Sequence, residues 1–123
     1  MQLRNIESNQ PLAVGIGAGT GALARYLLTA GLLAVLPTTP HVAFLVTLSI
    51  NVVGSFAMGY FRPGPLFGTG FLGGFTTFSA LTVAAAQTTA LTALTYVLSS
   101  VLLCIPGWWL GDSAKNRKET KEA

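Results

Sequence analysis

Residues Gly68 to Leu81 read GTGFLGGFTTFSAL. Four glycines and four Ser/Thr hydroxyls crowd these fourteen positions, in the middle of a chain that is otherwise one apolar run after another. Each glycine inside a helix costs about 1 kcal/mol relative to alanine, so the stretch is a poor continuous helix. Within a membrane, a break of that kind is tolerated only where the freed backbone is buried in protein or lines a wet cavity. The reading is a helix interruption from Gly73 to Ser79 at the functional centre.

The flanks place that stretch in a membrane. The 123 residues are 51% hydrophobic and 9% charged, against about 25% charged for a soluble domain. Spans are expected at about 11–36, 41–61, 66–86 and 90–110. Each reaches the roughly 20 residues that cross a hydrocarbon core of about 30 Å. A polar lead, 1–10, precedes them, and a charged tail, 111–123, follows. The fold class is an all-α membrane protein of four transmembrane helices, with the third broken mid-membrane. Pro37 and Pro40 close the first span; Arg62, Pro63, Gly64 and Pro65 close the second. Gln87 to Thr89 make the last turn, and Pro106 is expected to kink the fourth span.

Charge fixes the expected orientation. All four acids (Glu7, Asp112, Glu119, Glu122) lie outside the spans, as do six of the seven basic residues. Arg4, Arg62, Lys115, Arg117, Lys118 and Lys121 share one side, and the opposite loops carry no Lys or Arg. By the positive-inside rule both termini face the cytoplasm. The counterpart of this charge is lipid headgroups, not nucleic acid. One cysteine, Cys104, excludes an internal disulfide and a cysteine-based metal site.

Small residues four apart predict close helix contacts: Gly15 with Gly19, Gly17 with Gly21, Ser55 with Gly59, and Gly70 with Gly74. Polar groups within the spans are few. Thr47, Asn51 and Ser55 share a helix face. A hydroxyl can bond its own helix backbone, but the Asn51 amide cannot be satisfied there and needs another helix, water or a ligand. An interhelical clamp is the plain structural role for it. Arg25 is the only charge inside a span, too deep to snorkel, and reads as a cation facing a wet vestibule. Thr92, Tyr96, Ser100 and Cys104 form a polar stripe on the fourth span. Trp108 and Trp109 read as interfacial anchors. Around the break, Thr76, Thr77 and Ser79 offer hydroxyls, and freed amides or carbonyls suit an anion or a small cation. The spans hold no carboxylate and the chain no nucleophile with a base, so an enzyme is not expected.

Three motifs then join into one pattern. GAGTGALARYLL from Gly17, TLSINVVGSFAMG from Thr47 and GFLGGFTTFS from Gly70 together resemble the CrcB/Fluc fluoride channels. The resemblance covers all four spans in order. It implies a small subunit that assembles as an antiparallel dimer, passively exports cytoplasmic fluoride, and holds a non-transported Na⁺ on backbone carbonyls of the break. By resemblance those carbonyls belong to Gly73 and Thr76. The pore asparagine falls on Asn51, the first box phenylalanine on Phe78, the next hydroxyl on Ser79 and the vestibule arginine on Arg25. Tyr96 and Ser100 are assigned to the same anion path.

The chain departs from the family pattern at three places. Where the family continues TTFSTF with a glutamate three residues on, this chain has Ala80, Leu81 and Ala84. A homodimer would lack half of the usual aromatic box, and the charge bias opposes insertion both ways. The expectation is therefore one half of a pair with a homologous second subunit. The alternatives are a non-conducting structural partner in such a pair and a small multidrug-type transporter. The latter needs a first-span glutamate that is absent.

Overall fold

The computed structural model describes residues 9–123, so the lead expected over 1–10, with Arg4 and Glu7, falls almost entirely outside it. The described chain is all-helical. Four segments, Gln10–Val35, Pro40–Phe61, Leu66–Ala86 and Ala90–Glu122, are long and apolar enough to cross a membrane, in agreement with the four-span reading.

The first is helix α1, Gln10–Val35, with a proline in its opening turn, where the missing N–H costs nothing. Helix α2, Pro40–Phe61, starts the same way and is capped by Thr39, whose Oγ1 accepts from Val42 N at 3.3 Å. It stops at Arg62, which takes the left-handed conformation (φ 46°, ψ 51°) and precedes Pro63. Proline disfavours the helical conformation in the residue before it, and a non-glycine residue at positive φ is held there only by its surroundings. Here the guanidinium supplies the hold. Arg62 Nε donates to Asp112 Oδ1 at 2.8 Å and Nη2 to Asn116 Oδ1 at 2.5 Å, with Glu119 at 3.9 Å.

The third segment is composite. It runs through α3, Leu66–Leu72, a π-helix; α4, Gly73–Phe75; and α5, Ser79–Ala86. Gly68 and Gly70 are both buried on a crowded face, where a Cβ would meet the Pro63 carbonyl and Gly17 Cα respectively. A last helix, α6, Ala90–Glu122, runs without interruption through the tail. Its 33 residues reach about 50 Å at 1.5 Å per residue. Lys115 to Glu119 and Lys118 to Glu122, each four apart, together with the Arg62 brace, keep the polar end helical.

Two glycine seams hold these helices. In the first, a Cβ on Gly17 would strike the Leu66 carbonyl, one on Gly21 the Phe71 carbonyl, and one on Gly74 the Ala18 carbonyl. Helix α1 therefore lies backbone to backbone on α3 and α4. The second seam joins α2 to α6, with Gly59 on the Trp108 carbonyl and Gly111 on the Phe56 carbonyl. Two of the four expected small-residue pairs work as pairs, and Gly59 works with residues of α6. Gly15 and Gly19 meet nothing within 4 Å. The α6 partner, Gly107 with Gly111, has the same four-residue spacing, but it straddles the two tryptophans and the end assigned to the span.

The compact core lies at the end opposite Arg62. Phe44 stacks on Tyr96 at 3.8 Å between ring centroids, over Leu81, Ala84 and Ala85. Trp108 and Trp109 are exposed on the outer face of α6.

Candidate functional site

Between α4 and α5 the chain leaves the helix, and that departure builds the site. Thr76 is extended (φ −78°, ψ 153°). In a continuous helix the Thr77 N–H would bond the Gly73 carbonyl, four residues back. It goes instead to Asn51 Oδ1, at 2.7 Å, while Asn51 Nδ2 donates to the Thr77 carbonyl at 2.8 Å. One side-chain amide on α2 thus replaces both backbone partners of one peptide position. Gly54, one turn further along α2, leaves room for the Thr76 methyl.

Further bonds stay local. Thr77 Oγ1 accepts from Ala80 N at 3.2 Å, which caps the start of α5, and it also bonds Ser79 Oγ at 3.0 Å. Among the described residues the carbonyls of Gly73 and Thr76 receive no hydrogen bond, whereas Gly74 O is approached by Arg25 Nε at 3.4 Å.

Two cavities flank Thr77. The larger, about 400 Å³, is lined by Asn51, Ser55, Gly73, Thr76, Phe78, Ser100 and Cys104, together with Leu81 and aliphatic residues of α6. Asn51 is 8% exposed and Ser100 7%, and the Ser100 hydroxyl has no hydrogen-bond partner among the described residues. A buried hydroxyl in that state is short of a partner by about 1–3 kcal/mol. The second cavity, about 240 Å³, lies on the other side of Thr77 and is lined by Arg25, Thr29, Thr47, Ile50 and Ala80. The Thr47, Asn51, Ser55 stripe therefore runs from one cavity into the other. No ionised acid lines either one.

The assigned site residues do not all converge. Asn51, Gly73, Thr76, Phe78 and Ser100 share the larger cavity. Arg25 lines the smaller one. Ser79 is exposed beside Thr77. Tyr96 lies in neither cavity: its ring is in the core and its hydroxyl bonds His41 Nδ1. Phe78 and Leu81, three residues apart, both border the larger cavity but differ in burial. Phe78 is 65% exposed and Leu81 2%. Sequence reasoning did not single out Thr77 as Asn51's partner, because the bond is made by its backbone, which no residue type encodes.

A family model described as CrcB-like protein, Camphor Resistance (CrcB), matches residues 12–112. The chain belongs to the CrcB family. Among its CrcB relatives, the fluoride-specific ion channel FluC 1 of Corynebacterium diphtheriae is 44% identical, over 84% of this chain and 95% of the relative. The fluoride-specific ion channel FluC of Corynebacterium efficiens is 42% identical, over 82% of this chain and 67% of the relative. A FluC of Rhodospirillum centenum, also named a fluoride-specific ion channel, is 39% identical over 81% and 90%. No solved structure matches the chain. The matched region reaches into all four apolar segments and takes in the whole Asn51–Thr77 arrangement, so the site described above is built entirely within the CrcB part of the chain.

Proposed function

We propose that this chain is a subunit of a fluoride-selective channel in the cell membrane, letting cytoplasmic fluoride leave passively and so relieving its toxicity. The observation that carries the reading is the family membership, with relatives named fluoride-specific channels along most of the chain. The cavity supports it. A small, strongly hydrated anion needs hydrogen-bond donors to replace its water and no carboxylate to repel it. One N–H of Asn51 remains beyond its bond to Thr77, and the hydroxyls of Ser55 and Ser100 line the same space. The Phe78 ring adds a positive edge. Arg25, in the adjoining cavity, raises the local anion concentration.

The unpaired carbonyls of Gly73 and Thr76 are hard oxygen donors and fit Na⁺ as a structural, non-transported ion. Bound there, Na⁺ would neutralise the Gly73 oxygen that the diverted Thr77 N–H leaves bare and the Thr76 oxygen whose helical partner, Ala80 N, bonds Thr77 Oγ1 instead. In this reading the functional unit is an antiparallel dimer, with the exposed Phe78 offered to the neighbouring subunit. This subunit keeps its termini in the cytoplasm. Because Leu81 stands inside the chain's own core, the aromatic missing from TTFSAL is missing from this subunit's own lining. The dimer partner is accordingly a homologous second subunit that supplies the intact sequence.

Efflux of fluoride from loaded liposomes, followed with a fluoride electrode, tests both parts. The chain alone is expected to give background flux, and co-reconstitution with a homologue carrying TTFSTF is expected to give robust flux. Robust flux from the chain alone would overturn the obligate pair. Background flux in both cases, with a verified dimer in the membrane, would overturn the fluoride channel.

A further inference from the structure

Where α6 leaves the apolar zone it borders a groove of about 870 Å³, and the lining divides into two chemistries. Phe56 of α2, Trp109 and Leu110 form an apolar floor; Arg117, Lys118 and Lys121 stand above it. We propose that this groove binds the headgroup of an anionic phospholipid. The three cations hold its phosphate, and the top of an acyl chain lies on Phe56, Trp109 and Leu110. The inference does not depend on which ion the chain conducts.

The helix sorts its own charges to make the site. Asp112 and Glu119 turn toward Arg62, and Asn116 between them bonds Arg62 through its amide oxygen while also bordering the groove. Leu110, Ala114, Arg117 and Lys121 recur at three- to four-residue intervals on the groove side. The acids are thereby engaged away from the groove, and no Asp or Glu lines it. Lys118 reaches Glu122 only at 4.0 Å, at the limit of an ion pair. Arg117 and Lys121 have no carboxylate within that distance among the described residues.

Depth matters as much as charge. About 20 residues from Ala90 cross a hydrocarbon core, which ends it near Trp109 and Leu110. Arg117 and Lys118 then stand about two turns beyond and Lys121 about three, and their side chains, slanting toward the helix N-terminus, reach back to the headgroups. Long basic side chains reach a phosphate there while their stems cover apolar surface. A free phosphate would satisfy the cations and leave the apolar floor unused. A nucleic acid would gain nothing from a floor at the depth of acyl chains.

The chain contains two tryptophans, so a Trp108→Phe variant makes Trp109 the sole reporter. Trp108 touches the α2 seam through its carbonyl, which this change leaves in place. The purified variant is reconstituted in phosphatidylcholine vesicles with a rising fraction of phosphatidylglycerol brominated near the top of its acyl chains. Quenching is compared with equally brominated phosphatidylcholine. Each basic residue near an anionic surface is worth about fivefold in association, so a preference of at least about fivefold for phosphatidylglycerol is expected. Adding Arg117→Gln, Lys118→Gln and Lys121→Gln should bring the two lipids to parity while the protein stays folded. Equal quenching by both lipids before that change would overturn the site. Loss of the preference on adding inorganic phosphate at constant ionic strength would reassign the cations to a soluble anion and overturn lipid docking. A preference that survives the triple change would overturn the assignment to these residues.

Discussion

Asn51→Asp is expected to lower fluoride efflux from vesicles holding the assembled channel by about a hundredfold. The carboxylate can still accept the Thr77 N–H, but it cannot donate to the Thr77 carbonyl, to which Asn51 Nδ2 now bonds at 2.8 Å. It also places a negative charge on the wall of the larger cavity. At an effective dielectric constant of about 20, two charges roughly 5 Å apart repel by about 3 kcal/mol, which is about two decades in occupancy. A companion variant separates that charge from the clamp. Asn51→Leu removes both bonds and strands a buried N–H and C=O, at about 1–3 kcal/mol each. Thermal unfolding in detergent should show the leucine variant as the less stable of the two and the aspartate variant as the more completely blocked. Efflux of the aspartate variant within twofold of the parent would remove Asn51 from the anion path and leave it the clamp alone.

The second large effect concerns two glycines two residues apart. Gly21→Ala should drive α1 away from the third segment, because its new methyl would collide with the Phe71 carbonyl and crowd Phe75 N at 2.9 Å. Backbone at that distance cannot step aside as a flexible side chain can. Overpacking of this kind costs about 1–3 kcal/mol or more, and the measured consequence is a lower melting temperature and little monodisperse protein. Gly19→Ala meets nothing within 4 Å and replaces a poor helix former, so it should leave stability unchanged or raise it by up to about 1 kcal/mol. Equal losses in the two variants would show that the α1 seam is not placed as described. A Gly19→Ala subunit that folds yet fails to dimerise would put the second subunit on the outer face of α1.

These contrasts mark what could be read from residue types and what could not. Four apolar segments, punctuated by Pro37, Pro40, Pro63 and Pro65, carry their own boundaries, because hydrophobic length and proline act locally. Asn51 was legible as a residue in need of partners, since an amide inside an apolar helix has no local solution. Its partner was not, because a Thr77 peptide looks like any other peptide. Glycine spacing predicted that backbones touch but could not say which face of α1 does so; Gly15 and Gly19 satisfy the same rule as Gly17 and Gly21 and point elsewhere. The Gly107 and Gly111 seam was hidden by the tryptophans between them, whose interfacial character placed the end of the span there. Tyr96 shares a helical stripe with Ser100, yet its larger ring is taken up by Phe44 and His41, so a common face did not mean a common cavity.

The Asn51–Thr77 pairing also imposes an order on how the protein is made. Thr77 can give up the bond to the Gly73 carbonyl only when α2 lies beside it, for its replacement comes from a residue 26 positions earlier. The second segment must therefore be in place before the third can take its final shape. During synthesis the third segment can enter the bilayer as an ordinary helix, with every peptide bonded internally, and open its carbonyls only on docking. The bare Gly73 carbonyl is in this sense a late product of maturation. It comes into being only in a chain that has already folded around it.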